Sequence, residues 1–162
     1  MNKDYTCYLA GAMEYSPDGG VGWRKEVTKK LKDLNIDVFD PASNEHGILS
    51  EVGAASPTEM NSWKRTDFPR FRQCMQKIIH FDMDAIDNLH SMLVYITRGL
   101  AGGTIGEVTH AYRNLSIPVI AVLEPGLLVT DVSGWVLGCL DEIHTDWDTA
   151  IESIQKDKEQ TL

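Results

Sequence analysis

One segment of the sequence carries a carboxylate at a position suited to chemistry. In GLAGGTIGEVTHAY, residues 99–112, a run of glycines leads into Glu107 at the start of a helical pattern. Glycine lets the backbone approach a ligand closely, and the positive end of a helix dipole favours an ionised carboxylate. Such a carboxylate, facing a cleft, could act as a nucleophile. The simpler alternative, an acid of the kind that commonly begins a helix, stays open on this segment alone.

The same glycines form neither of the familiar phosphate-binding loops. GGTIGE lacks the GxxxxGK[ST] pattern and has no lysine to reach the phosphates. The dinucleotide fingerprint should follow the first strand, and LAGAMEYSPDGG does not have its spacing. Carboxylate chemistry is therefore favoured over a phosphate cradle.

A second group of carboxylates lies in HFDMDAIDNLH, residues 80–90. On a helix, Asp82 shares a face with Ile86, whereas Asp84 and Asp87 point elsewhere. Because Ile86 is expected to face the core, we expect Asp82 at the inward edge and Asp84 in solvent. The three aspartates do not share one face, so a metal-dependent hydrolase is not favoured. The sequence predicts neither a metal nor a cofactor.

These side chains must be positioned by short buried strands that alternate with helices. Strands are predicted at residues 5–10, 36–41, 91–96, 117–123 and 142–145. Helices are predicted at residues 23–34, at 68–89 in two pieces broken near His80, at 104–115, and from Trp147 after a cap at Asp146. Residues 42–67 show little periodicity and are interpreted as a long surface loop.

The whole chain, residues 1–162, is predicted to form one α/β domain. Continuously hydrophobic strands alternating with helices indicate a doubly wound, flavodoxin- or Rossmann-like parallel sheet of about five strands, with helices on both faces. Ligands of such sheets bind beyond the carboxyl ends of the strands. There, the loop at residues 11–22 is expected to meet the loop at residues 97–103.

Composition excludes several classes of function. The net charge of −9 argues against a binder of nucleic acid or of an anionic membrane surface. No apolar run approaches the roughly 18 residues that span a bilayer. The three cysteines lie far apart and suggest neither a disulfide framework nor a zinc site. With no signal peptide recognised at the N-terminus, a cytoplasmic location is expected.

One local segment is basic on this acidic chain. WKRTDFPRFRQCMQK, residues 63–77, carries five cations against Asp67. The cations are Lys64, Arg65, Arg70, Arg72 and Lys77. A solvated face is the simple interpretation, and a docking site for an anionic ligand group is the alternative. Trp63, at the start of this segment, could stack on a base, cover the site or contact another subunit.

Three segments together resemble the nucleoside 2-deoxyribosyltransferases and the related deoxynucleoside 5′-monophosphate N-hydrolases. They are YLAGAM at residues 8–13, the Asp82 helix leading into SMLVYI, and GGTIGEVTHAYRNLSIPVIAV. The resemblance covers residues 5–123, and its most specific element is GT-x-x-E followed by a helix and a PVIAV strand. It implies that Glu107 attacks the anomeric carbon of deoxyribose and holds the sugar as a covalent ester. It further implies that Asp82 assists protonation of the leaving base and that Tyr8 orients the nucleophile.

The resemblance also implies a sugar pocket formed largely by backbone. Its residues would be Gly11, Met13, Gly103 and Thr104. We assign further substrate binding to Trp63, Arg65, Asp87 and Ser133. Ser133 and Trp135 lie in TDVSGWVLGCLDEIH, which loosely resembles the segment with which a neighbouring transferase subunit completes the pocket. The alternative for Trp135 is a place in the core. Where the family usually has a further aspartate before the third strand, this chain has His90 and Ser91.

The predicted function is cleavage of the N-glycosidic bond of 2′-deoxynucleosides or deoxynucleotides, with transfer to another nucleobase. Hydrolysis of 5′-monophosphates is the alternative, since it shares the Glu107 ester. The resemblance implies a serine before the nucleophile and a less acidic first loop in the monophosphate hydrolases, so Ala101, Glu14 and Asp18 favour nucleosides. The basic segment could nevertheless bind a 5′-phosphate. A non-catalytic nucleotide-binding module stays open. The expected partners are the substrate, a free base or water as acceptor, and other copies of the chain in a homodimer or larger homo-oligomer.

Overall fold

Five parallel strands form one sheet in the part of the chain that the structure describes. The computed structural model describes residues 5–13, 16–114 and 117–161, leaving aside the side chains of residues 44–46. The strands are β1 (Thr6–Gly11), β2 (Asp37–Phe39), β3 (Ser91–Ile96), β4 (Val119–Leu123) and β5 (Glu142–His144). Their order is β2-β1-β3-β4-β5, with every neighbouring pair parallel. The chain order reverses direction across the sheet between β1 and β3, where such folds bind ligands.

Helices connect the strands and cover both faces of the sheet. They are α1 (Val21–Asp33), α2 (Pro41–Glu51), α3 (Pro57–Thr66), α4 (Phe68–Asp87), α5 (Gly102–Arg113), α6 (Gly134–Leu137) and α7 (Trp147–Thr161). The doubly wound α/β fold predicted from the sequence is therefore confirmed. Helix α5 begins two residues before its predicted start, and its predicted end at residue 115 lies outside the described residues. The Asp146 cap is confirmed, because its Oδ1 accepts a 2.9 Å hydrogen bond from the Thr149 amide.

Alternation along β1 sends neighbouring side chains to opposite faces of the sheet. Cys7 and Leu9 pack with α1 and α7, in a core that includes Val27 and Ile154. Tyr8 and Ala10 pack on the other face, with α4 and α5, in a core that includes Ile86 and Val108. Tyr8 thus points to the face that carries Glu107 and Asp82.

The prediction of a long surface loop at residues 42–67 is wrong. Most of this segment forms α2 and α3, each with proline in its first turn and a side-chain cap. Asp40 accepts from the Ala42 amide, and Ser56 accepts from the Glu59 amide. Prolines and capping residues were interpreted as loop signals, although both are also common at helix starts. The two helices pack on α4 through a separate small core formed by Leu49, Ala54, Met60, Trp63 and Cys74.

The predicted break near His80 is also wrong. Helix α4 is continuous over 20 residues, or about 30 Å. Its proline, Pro69, lies in the first turn, where the missing amide hydrogen has no cost. His80 Nδ1 lies 2.6 Å from the Gln76 carbonyl oxygen one turn earlier, so its side chain bonds along the helix. One helix therefore joins the small α2–α3 core to the sheet.

Candidate active site

Tyr8 and Glu107 meet on the α5 face of the sheet. Glu107 lies in the second turn of α5 and is 8% exposed, while Tyr8 on β1 is fully buried. The Tyr8 hydroxyl donates a 2.9 Å hydrogen bond to Glu107 Oε1. The hydroxyl is fixed by the ring, which stacks on Phe39 of β2. A buried carboxylate with an oriented donor on one oxygen presents its other oxygen in a defined direction.

Asp82 approaches the same point from α4. It is 8% exposed and lies on the inward face with Ile86, as predicted. Its charge acts on both Glu107 and Tyr8. Two elements distant in sequence thus join Tyr8 to Glu107, and a third places the buried Asp82 close enough for its charge to act on both.

The surroundings of Glu107 favour its neutral form at neutral pH. Burial is the main cause and raises the pKa of Glu107 to about 8. The hydrogen bond from Tyr8 lowers this pKa, the charge of Asp82 raises it, and the charge of Arg24 lowers it. The pKa of Tyr8 is raised far above its ordinary value by burial first, and then by the charges of Glu107 and Asp82. Tyr8 thus remains a donor, and Glu107 gains charge as the pH rises through about 8.

Arg24 is the residue of this region that sequence reasoning missed. It lies on α1, is 2% exposed, and donates hydrogen bonds to the Gly11 carbonyl at 2.8 Å and to the Gly20 carbonyl at 3.1 Å. Its Nε lies 3.2 Å from Asp40 Oδ1. The spacing carried a signal, because Arg24 precedes the buried Val27 by one helical turn and shares its face.

Two clefts open at the carboxyl ends of the strands. The loop after β1 and the loop after β3 do meet, in a cleft of about 280 Å³. It is lined by Ala12, Ser16, Pro17, Trp23, Tyr95, Thr97, Arg98, Gly99 and Glu124. A larger cleft of about 450 Å³ includes Thr97, Arg98, Leu100, Asp131 and Ser133 in its lining. Glu107 is not among the described residues that line either of these two clefts. Glu14 of the first loop lies outside the residues that the structure describes.

The residues assigned to the sugar pocket lie near this edge. Gly11 ends β1, and a Cβ there would come 2.7 Å from the Trp23 ring, so the position requires glycine. Met13 is half-buried in the following loop. Thr104 is 3% exposed, whereas Gly103 is exposed and has open space around it. Ser133 lines the larger cleft.

The remaining assigned residues lie elsewhere. Arg65 is exposed on α3. Asp87, exposed at the end of α4, pairs with His110 Nε2 at 2.7 Å. Trp63 does not lie in a loop: it is 5% exposed in the small α2–α3 core. The Arg70 guanidinium stacks on its ring at 3.8 Å.

The interpretation of Trp135 as a core residue is wrong. Its side chain is 66% exposed on α6, and its indole nitrogen donates a 2.9 Å hydrogen bond to Thr109 Oγ1 on α5. A four-residue helix gives such a large side chain little to bury against. Trp135 therefore lies on the solvent-facing side of α5.

All five cations of the basic segment are exposed, and two of them also contact protein groups. Lys64 lies over the Phe71 ring at 5.3 Å, and Arg70 donates to the carbonyls of Val52 and Gly53. Arg72 and Lys77 are exposed, as is Arg65. Two of the cations thus have a packing role as well as exposure to solvent.

Side chains of the described residues do not assemble a metal centre. No group of three or more His, Cys, Asp or Glu residues there could hold an ion. Asp84 is exposed, as expected, while Asp82 points inward. Among the described helices, none combines the length and the apolar character needed to cross a membrane.

Comparison with known proteins gives a structural match. No protein-family model matches the chain, and no curated protein matches it. Among solved structures, it is similar to a 2-deoxyribosyltransferase from the psychrotolerant bacterium Bacillus psychrosaccharolyticus, with a TM-score of 0.65, 18% identity and 90% of each chain covered. It is also similar to a conserved protein from Enterococcus faecalis V583, with a TM-score of 0.61, 13% identity, and 99% of this chain and 100% of that chain covered. The chain therefore has the fold of a 2-deoxyribosyltransferase, which is the fold that the sequence resemblance implies.

Proposed function

We propose that the protein cleaves the N-glycosidic bond of 2′-deoxynucleosides or deoxynucleotides through a covalent deoxyribosyl ester on Glu107, with transfer to another nucleobase. The observation that carries this proposal is the 2.9 Å hydrogen bond from Tyr8 to a buried Glu107. The fold shared with a 2-deoxyribosyltransferase supports the same chemistry. If Glu107 served only to begin a helix, its carboxylate would need neither to be buried nor to accept a hydrogen bond from an oriented hydroxyl.

The first half of the reaction forms the ester. In the reactive state Glu107 is ionised and Asp82 holds a proton, and this state is the minor one at neutral pH because burial raises the pKa of Glu107 to about 8. The Glu107 carboxylate attacks the anomeric carbon, the N-glycosidic bond breaks, and its electron pair leaves with the base. Asp82, in its acid form, gives a proton to the departing base, because a base anion is a poor leaving group. The transition state resembles that of a retaining glycosidase, in which one difficult displacement becomes two easier ones.

The second half releases the sugar. An acceptor base attacks the anomeric carbon, the ester C–O bond breaks, and Glu107 regains its carboxylate. Asp82 takes up the proton that the acceptor loses. Tyr8 holds one carboxylate oxygen in both halves, so the other stays directed at the sugar.

Hydrolysis of 5′-monophosphates is a second candidate, supported by the position of Arg98. This exposed arginine lines both clefts, beside the glycines that lead into α5. A 5′-phosphate lying there would meet a cation and backbone amides. In this case water attacks the same ester and sugar phosphate is released.

A substrate screen tests the proposal. The protein is incubated with a deoxynucleoside plus a second free base, and separately with deoxynucleoside monophosphates, and products are separated by chromatography. A new nucleoside indicates transfer, while free base with sugar or sugar phosphate indicates hydrolysis. Quenched protein should carry a sugar adduct on Glu107 by mass spectrometry. Glu107→Gln should lose activity and adduct, whereas Glu152→Gln, at an exposed position of α7, should keep both. Binding without base release would favour a non-catalytic nucleotide-binding module.

We also infer that the protein forms a homo-oligomer through the solvent-facing side of α5 and the adjoining α6. Tyr112 on α5 is 51% exposed and Trp135 on α6 is 66% exposed, and Thr109 lies between them. Exposed aromatic side chains of this kind are enriched at protein interfaces. Light scattering should give a mass above that of one chain, and Trp135→Glu should lower it.

A further inference from the structure

Arg24 has no part in the chemistry described so far, yet it is a buried charge beside it. We propose that Arg24 is a positioning residue of the site: its guanidinium holds the loop after β1 at both ends and keeps a positive charge buried near Glu107. The inference rests on the proposed role of Glu107. A buried arginine is destabilising unless its charge is paired and its hydrogen bonds are made, so its position calls for a reason.

The first part of the argument is the loop. Arg24 Nη2 lies 2.8 Å from the Gly11 oxygen at the end of β1, and Nη1 lies 3.1 Å from the Gly20 oxygen at the start of α1. Gly20 has a φ of 74°, and a Cβ there would come 2.2 Å from Arg24 Nη1 and 2.7 Å from the Ala12 carbonyl oxygen. Glycine is therefore needed for the backbone to close around the guanidinium. One side chain fixes both ends of a loop that borders the 280 Å³ cleft.

The second part is charge. Glu107 is faced by Tyr8 from β1, Asp82 from α4 and Arg24 from α1. Burial and Asp82 favour the neutral form of Glu107, and Arg24 opposes them, lowering the pKa of that carboxyl. Asp40, 22% exposed at the start of α2, pairs with Arg24 Nε. The guanidinium thus contacts the start of α2 and both ends of the loop, and its charge acts on the candidate nucleophile.

Arg70 provides a control with similar contacts in the same chain, differing from Arg24 in that its side chain is exposed. Like Arg24, it stacks on a tryptophan, donates to two backbone carbonyls, and adjoins a glycine of positive φ, Gly53 at 71°. Twelve residues of α4 separate it from Asp82, or about 18 Å along the helix axis. Its replacement removes similar contacts without removing charge from the site.

The test compares Arg24→Gln, Arg24→Lys and Arg70→Gln with the wild type. The carboxyl carbon of Glu107 is titrated by NMR in labelled protein without substrate, and base release is measured from pH 6 to pH 9. Arg24→Gln should move the Glu107 midpoint to higher pH and reduce base release at pH 6 by roughly threefold or more, with recovery toward pH 9. Arg24→Lys should keep the midpoint but raise KM, because it cannot hold both carbonyls. Arg70→Gln should change neither.

Several results would overturn the proposal. One is an unchanged Glu107 midpoint in Arg24→Gln, and another is an equal shift in Arg70→Gln. If Arg24→Gln does not fold, wild-type KM and kcat in Arg24→Lys would exclude the positioning role. Absence of base release in the wild type would count against the proposed function, while the NMR titration would still decide whether Arg24 acts on Glu107.

Discussion

The hydroxyl of Tyr8, on the first strand, donates a 2.9 Å hydrogen bond to Glu107, which lies 99 residues later in the chain. This bond lowers the pKa of Glu107, against the stronger effect of burial. Without it, the carboxyl would be harder to ionise and free to turn away from the sugar.

Tyr8→Phe should therefore slow base release by about 10- to 100-fold at neutral pH, with a smaller loss at pH 9. Single-turnover measurements across this range test the expectation. Tyr5→Phe, which removes a hydroxyl that bonds Asp157 on the other face of the sheet, serves as the control and should match the wild type in base release. An equal loss at every pH would mean that Tyr8 orients Glu107 without affecting its ionisation.

The pH dependence of stability follows from the same carboxyl. Burial raises the pKa of Glu107 from its ordinary value of 4.5 to about 8, so the folded protein holds a proton that the unfolded chain releases between these values. The contribution of Glu107 to stability is complete below pH 4.5 and is lost as the pH rises through about 8. Glu107→Gln, which keeps an acceptor for Tyr8, should thus be more stable than the wild type at pH 8, by up to about 4 kcal/mol, and similar at pH 4.5.

Urea unfolding of both proteins at the two pH values measures this difference. Glu152→Gln controls for the loss of one negative charge at an exposed site and should show no such pH dependence. A stability gain that does not grow with pH would contradict the raised pKa. It would also weaken the interpretation of Glu107 as a buried nucleophile.

Asp82 should matter most for poor leaving groups. Asp82→Asn removes the acid that protonates the departing base, and we expect a loss of about 100-fold for bases whose anions are strongly basic. The loss should be smaller for bases with acidic ring nitrogens. Asp84→Asn, exposed on the same helix, is the control. Equal losses for all bases would indicate that Asp82 binds the substrate without transferring a proton.

Gly20 should tolerate alanine poorly. Its φ of 74° and the 2.2 Å approach of a Cβ to Arg24 predict a loss of about 2 to 3 kcal/mol in Gly20→Ala. Gly126→Ala is matched in backbone, with a φ of 83°, but has open space around it and should lose about 1 kcal/mol. Thermal unfolding compares the two. Equal losses of stability in the two variants would show that the Arg24 side chain moves aside to make room for the added Cβ.

Local patterns predicted the sheet and the residues with chemical character. Strands β1, β3 and β4 are short hydrophobic runs whose burial requires no knowledge of distant residues. The inward position of Asp82 followed from its spacing to Ile86 on one helix. The segment at residues 42–67 was misjudged because proline and capping residues begin helices as well as loops.

What the sequence determined by itself is therefore the parallel α/β fold, since periodicity and helix caps act within a few residues. It also singled out Glu107, Asp82 and Tyr8, in the case of Tyr8 only through the resemblance to the nucleoside 2-deoxyribosyltransferases. The tertiary structure decided which of them meet, because the Tyr8–Glu107 bond joins a strand to a distant helix. It also buried Trp63 in a core of its own and placed Arg24 against Gly11 and Asp40. Contacts of this kind depend on how whole elements pack in three dimensions, which no local pattern encodes.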